Sequence, residues 1–174
     1  MSEKVRIMLP EEEIDHRIRE LGAQISEDYA GESVFLVCIL KGASFFACDL
    51  AKRITVPVTI DFMATSSYGS GTVSTGEVKI KKDLDLPVNG RHVIIVEDIV
   101  DSGHTLHFLG NLFRDRNAKS LRMCALLDKA DRREVDVPVD YIGFSVPDAF
   151  MVGYGLDYDQ KYRNLPYIGI VDFE

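Results

Sequence analysis

Basic residues are outnumbered in this chain. There are 20 lysines and arginines against 28 aspartates and glutamates, a formal net charge of −8 over 174 residues. Nucleic acid and anionic membrane both select for a basic face, so this balance argues against either as a general partner. Cysteine is scarce too. Cys38, Cys48 and Cys124 form no C-x-x-C pair, which argues against a disulfide framework or a zinc site. Cys38 and Cys124 lie in apolar runs and read as buried structural thiols. Long apolar stretches are missing as well: none approaches the ~20 residues that span a bilayer. The segment Met1 to Glu13 is polar and acidic, with no apolar core of a secretory signal. A reducing, cytoplasmic setting is expected.

What is present suits one folded domain. Hydrophobic residues make up 46% and charged residues 28%, enough apolar content for a core and against disorder. Ile14, Ile18, Leu21, Ile25 and Tyr29 recur at spacings of three and four, which predicts a helix over 10–30. The apolar run 34–40 predicts a strand buried on both faces. A helix is expected over 44–54, a strand over 56–64 and a buried strand from His92 to Val96. A helix over 104–117 and strands over 120–127, 140–146 and 167–171 complete the pattern. Strands alternating with helices imply an α/β fold with an open, mostly parallel sheet. Residues 66–77 are small and Gly-rich, which suits a functional lid. Lys79, Lys81 and Lys82 read as a solvated strand end.

The chemistry concentrates in Val93 to Thr105. An apolar strand runs into Glu97-Asp98, then Asp101, then Ser102-Gly103-His104-Thr105 opening a helix. In open α/β sheets ligands bind outside the carboxyl ends of the strands. Free N–H groups at a helix start bind anions, Gly103 allows close approach, and the two hydroxyls add donors. Asp101-Ser102 also suits a plain helix cap. Glu97 and Asp98 would repel a phosphate unless they face its hydroxyls or a cation. A phosphate at one end and a polyol with Mg²⁺ at the other fits, as in a ribose 5-phosphate. Two competing motifs fail. The chain holds no G-x-x-x-x-G-K-[ST], and Gly69-Ser70-Gly71 lacks the third glycine and following helix of a dinucleotide fingerprint.

Val93 to Thr105 resembles the phosphoribosyl diphosphate (PRPP) motif of the type I phosphoribosyltransferases. Leu40-Lys41-Gly42, Ser67-Tyr68, Leu127-Asp128-Lys129, the block Pro147 to Tyr154, and Leu156-Asp157-Tyr158 with Arg163 resemble the hypoxanthine(-guanine) branch. The likeness runs from about Leu36 to Val171. It implies a core over about 34–140, a small hood from the N-terminal segment and about 141–171, and the lid at 66–77. The implied reaction joins a 6-oxopurine to PRPP, giving a purine nucleoside monophosphate and pyrophosphate.

The resemblance also implies roles. Glu97 and Asp98 would hold the ribose hydroxyls and help bind Mg²⁺. Asp101 would exchange a proton with purine N7. Ser102, Gly103, His104 and Thr105 would cradle the 5-phosphate; many relatives have Lys at the position of His104. Lys129 would donate to the purine 6-oxygen, Phe150 would stack on the base, and backbone groups of Met151 would read its edge. Asp157 would ligate Mg²⁺. Lys41, Gly42 and Arg163 would hold pyrophosphate, and the Leu40-Lys41 peptide can be cis in such proteins. Ser67 and Tyr68 would belong to the lid. A homodimer or homotetramer is expected. A regulator on the same fold that senses PRPP and binds RNA, and a xanthine-guanine enzyme, are the alternatives.

Overall fold

A computed structural model describes residues 2–67 and 77–174, with the side chain of Ser67 outside the described part. The expected lid at 66–77, Tyr68 included, therefore lies almost wholly outside the described residues.

Nine strands and three helices are formed among the described residues. They are β1 (Glu3–Leu9), α1 (Glu11–Asp28), β2 (Val34–Leu40), α2 (Ser44–Ala51), β3 (Val58–Ser67), β4 (Val78–Lys82), β5 (His92–Val100), α3 (His104–Asp115), β6 (Ser120–Asp128), β7 (Tyr141–Ser145), β8 (Met151–Val152) and β9 (Ile168–Phe173). The main sheet has the order β4-β3-β2-β5-β6-β7. All its pairings are parallel except β3 with β4. The expected α/β fold with a mostly parallel sheet is therefore formed.

The pattern that predicted α1 also packs it. The helix follows Pro10, carries Glu11, Glu12 and Glu13 in its first turn, and buries Ile14, Ile18, Leu21 and Ile25. Pro sets the entry dihedral and the acids complement the positive helix end. Strand β2 is buried on both sides because two cores meet across it. Leu36 and Cys38 join the layer under α1 and α2, while Phe35, Val37 and Ile39 join the layer under α3. Alternate strand residues point to opposite faces, and here both faces are covered. Helix α3 stops two residues before the expected 117. Asn117 takes φ 63°, with Ala118 N–H bonded to Phe113 O and Asn117 N–H to Arg114 O. That is the Schellman pattern, and it ends the helix.

β1 and the two-residue β8 were not expected, and β4 was expected only as the solvated strand end at Lys79, Lys81 and Lys82. β1 sets Val5 and Ile7 between charged residues before the apolar Met8-Leu9, but the acidic composition of 1–13 hid it. β4 is an exposed edge on which Lys79, Lys81 and Lys82 stand in solvent, as lysines on an edge strand do. The hood boundary also shifts. Tyr141–Ser145 pairs with β6 and belongs to the main sheet. The second sheet, β1-β9-β8, takes only 151–152 and 168–171 of the segment assigned to the hood, and β9 runs on to Phe173. The reason is apolar register: Tyr141 stands opposite Cys124, and both are buried. Among the described residues no helix is long and apolar enough to cross a membrane.

Candidate active site

Strand register sets the site. β5 runs four residues past the Val96 expected from its apolar run, so Glu97 and Asp98 stand in the strand itself. Val100 pairs with Asp128 in β6, and Asp128 pairs with Ser145 in β7. Asp101, Lys129 and the Pro147-Asp148 turn therefore emerge side by side at the carboxyl ends of three neighbouring strands. Lys129 N–H donates to Val100 O at 3.0 Å, tying two of these ends together.

A cavity of about 360 Å³ opens there, lined by Glu97, Asp101, Ser102, Gly103, Thr105, Arg132 and Glu134 among others. Gly103 has φ 90°, and a Cβ on it would lie 3.0 Å from Val135 O and 3.1 Å from Arg133 Cδ. Both the dihedral and the packing demand glycine. Helix α3 starts at the next residue, and His104 N–H reaches Ser102 Oγ at 3.4 Å. His104 itself bonds through Nε2 to Glu134 Oε2 at 2.6 Å. Asp101 is half-exposed, yet its Oδ1 is turned inward and has no hydrogen-bond partner among the described residues. The nearest cation is Arg132, with Nε at 3.9 Å. A buried, unsatisfied carboxylate oxygen is costly and marks a place where a ligand proton can bind.

Glu97 is buried and Asp98 nearly so. Neither makes an ion pair among the described residues. Burial pushes both carboxyls above their usual range, Glu97 the further, with the neighbouring Asp98 charge adding to its shift. Two such acids call for hydroxyl donors or a cation. Asp98 lies against Gly42, where a Cβ would fall 1.8 Å from its Oδ2. The Leu40-Lys41 peptide is cis. Gly155, with φ 100°, closes onto Gly42 from the other side: a Cβ there would meet Gly42 O at 2.1 Å. Arg163 donates through Nη1 to Gly155 O at 2.6 Å and lies 3.4 Å from Asp157 Oδ1. Asp157 also accepts from Gln160 N–H at 2.8 Å. Lys41, Gly42, Asp98, Asp157 and Arg163 thus share one side of the site.

The expected base-binding residues form the other wall. The Lys129 side chain is 11% exposed, and its Nζ lies 3.6 Å from Asp148 Oδ1. Phe150 is 46% exposed and makes edge contacts with Tyr158 and Phe173. A large aromatic left this exposed can stack on a planar ligand. Met151 is buried, and its backbone pairs with Ile170 in β9. The sequence reading named Asp128 and Asp148 only within motif segments and gave them no role, and it did not single out Arg133 or Glu134. Only Arg132-Arg133, a basic pair close behind Lys129, could have drawn attention to this loop. Cys38 and Cys124 are buried, and burial pushes the Cys38 thiol up to about 12; Cys48 is exposed.

The oxygen donors fit a hard cation. Mg²⁺ takes one or two carboxylates and completes its shell with substrate oxygens and water, and Asp157, Glu97 and Asp98 are of that kind. Among the described residues no three His, Cys, Asp or Glu side chains cluster as a ready cage.

Residues 9–159 match the model of the phosphoribosyl transferase domain. The hypoxanthine phosphoribosyltransferase of Salmonella typhimurium is 53% identical over 173 residues, 98% of this chain and 97% of that protein. The hypoxanthine-guanine phosphoribosyltransferase of Bacillus subtilis is 52% identical over 166 residues, 95% of this chain and 92% of that one. The crystal structure of a Bacillus anthracis hypoxanthine-guanine phosphoribosyltransferase with HEPES in its active site superposes with a TM-score of 0.93. It is 44% identical and covers 99% of this chain and 100% of its own. The likeness runs along the whole chain, from the domain model to relatives half identical to it, and so the chain belongs to the phosphoribosyl transferase family.

Proposed function

We propose that this protein is a purine-salvage transferase that joins hypoxanthine, and also guanine, to PRPP, giving the nucleoside monophosphate and pyrophosphate. The observation that carries the reading is the inward Oδ1 of Asp101, without a hydrogen-bond partner among the described residues and beside the Ser102–Thr105 turn. A proton acceptor and an anion cradle within one turn suit a base and a ribose phosphate held together.

The chain's own groups divide the work. The 5-phosphate sits on the Ser102–Thr105 turn, where N–H groups and hydroxyls donate to it. Glu97 and Asp98 accept from the ribose hydroxyls and orient C1. Their negative charge favours the cationic ribose that develops as pyrophosphate departs. N9 of the base forms the new bond to C1 as the bond to pyrophosphate breaks. Asp101 takes the N7 proton when the base becomes a nucleotide. Lys129 donates to the 6-oxygen and disfavours adenine, whose amino group would leave the ammonium unpaired. Phe150 stacks on the base, and backbone groups of Met151 meet its edge. Lys41, the Gly42 backbone and Arg163 hold the pyrophosphate. Asp157, with Glu97 or Asp98, would hold a Mg²⁺ whose charge would offset that of the leaving group. Ser67 and Tyr68 belong to a segment that covers PRPP. The protein works in the cytoplasm as a homodimer or homotetramer.

An RNA-binding regulator and a xanthine-guanine enzyme gain no support from the relatives, which carry hypoxanthine or hypoxanthine-guanine names. The test is pyrophosphate release from PRPP and Mg²⁺ with hypoxanthine, guanine, xanthine and adenine in turn. Turnover is expected with the first two. No turnover with any base would overturn the enzyme reading, and turnover with xanthine in preference to hypoxanthine would overturn the substrate reading.

A further inference from the structure

We infer that Arg133 is a positioning residue for the phosphate turn. With Asp128 and the backbone of Glu134 and Val135, it locks the carbonyls of Asp101 and Ser102. The N–H groups of Ser102 and Gly103 are then held toward the ligand. This rests on the reading of Asp101–Thr105 as a phosphate cradle.

The hydrogen bonds define the lock. Arg133 Nη1 donates to Asp101 O at 3.0 Å, and Nη2 donates to Asp128 Oδ1 at 2.7 Å. The N–H groups of Glu134 and Val135 both donate to Ser102 O, at 2.9 and 3.2 Å. The Asp101-Ser102 and Ser102-Gly103 peptides are trans. In a trans peptide the C=O and N–H point in opposite directions. Fixing Asp101 O against Arg133 therefore turns Ser102 N–H away from the 130s loop. Fixing Ser102 O against Glu134 and Val135 does the same for Gly103 N–H. Among the described residues neither N–H has a hydrogen-bond partner. Ser102 and Gly103 line the cavity, so these two donors are held for a ligand.

The turn needs such a lock. Gly103, at φ 90°, has no side chain to restrain it, and glycine flanks make peptide flips easy. A flip of either plane would present a carbonyl where the phosphate sits and reverse the local dipole. The anchor is rigid because Asp128, at the end of β6, is buried and paired with an arginine only 20% exposed. Arg suits the role because its planar fork donates in two directions at once, which an ammonium on a flexible stem does not. Arg133 Cδ also packs beside Gly103, so the same side chain closes the back of the turn.

The experiment uses the whole protein with ribose 5-phosphate and inosine as calorimetric probes, the first carrying the phosphate and the second lacking it. Variants are Arg133→Lys, which keeps charge against Asp128, and Arg133→Met. Ribose 5-phosphate affinity is expected to fall ~10-fold in Arg133→Met, the scale of a misaligned charge-assisted bond, and less in Arg133→Lys. Inosine affinity should hold, and the KM for PRPP should rise more than kcat falls. Equal ribose 5-phosphate affinity in a folded variant, or equal losses for both probes, would overturn the inference. If both variants fail to fold, amide NMR of the parent decides. Ser102 and Gly103 amide signals should shift when ribose 5-phosphate binds, and still signals would overturn it. A parent that binds no ribose 5-phosphate would instead remove the cradle reading itself.

Discussion

Gly42 and Asp98 are packed so tightly that a methyl group on Gly42 would stand 1.8 Å from the Asp98 Oδ2. Gly155 seals the opposite side of the same loop. Even one extra carbon has no room. Gly42→Ala is therefore expected to displace the Asp98 carboxylate. Overpacking of this kind costs ~1–3 kcal/mol of stability, read as a lowered Tm. The KM for PRPP should rise with it, and an unchanged KM would separate Asp98 from the ribose.

Asp101→Asn keeps the side chain's shape and removes the proton acceptor. Turnover should fall by ~10²–10⁴, the usual contribution of a positioned acid or base. PRPP affinity, measured by calorimetry, should be mostly kept, because the phosphate rests on the neighbouring N–H groups. Unchanged turnover would dismiss Asp101 from proton transfer.

Lys129→Ala removes a donor that is only 11% exposed. A bond from a charged donor contributes ~1.5–3 kcal/mol, so the KM for hypoxanthine should rise by about one to two orders of magnitude. Adenine should be discriminated against less strongly. If hypoxanthine KM does not move, the 6-oxygen is read by another group.

Glu97 gives a pH dependence with a definite sign. Burial raises its folded-state pKa well above the usual carboxylate value of 4.5. A raised acid contributes its stability in full below the unfolded pKa and loses it as pH rises through the folded one. The unliganded protein should therefore lose stability as pH climbs from that range, and Glu97→Gln should melt higher than the parent at neutral pH. The gap should close as pH falls toward 4.5, which thermal melts across pH will show. Ligand binding by the parent should release protons, because ribose hydroxyls and a cation favour the ionised pair.

Much of this molecule was legible from residue order alone. Apolar periodicity gave α1, and the continuous run 34–40 announced a strand covered on both faces. The string Glu97 to Thr105 announced an acid pair, a glycine turn and a helix start, because strand ends, helix starts and glycine turns are local features. Even the net charge of −8 argued against nucleic acid as a general partner while saying nothing against a phosphate, since phosphates are met by a few local donors.

What the sequence could not decide is long-range. Nothing near Asp128 or Arg133 says that a side chain from the 130s loop ties down a carbonyl some thirty positions earlier. The carboxylate of Glu134 on His104 is of the same kind. β1 showed its partner β9 only when the two ends of the chain were brought together. Local propensity sets which turns and helices form. The direction in which a free N–H points, and the burial that raises an acid's pKa, depend on neighbours that only the folded sheet supplies.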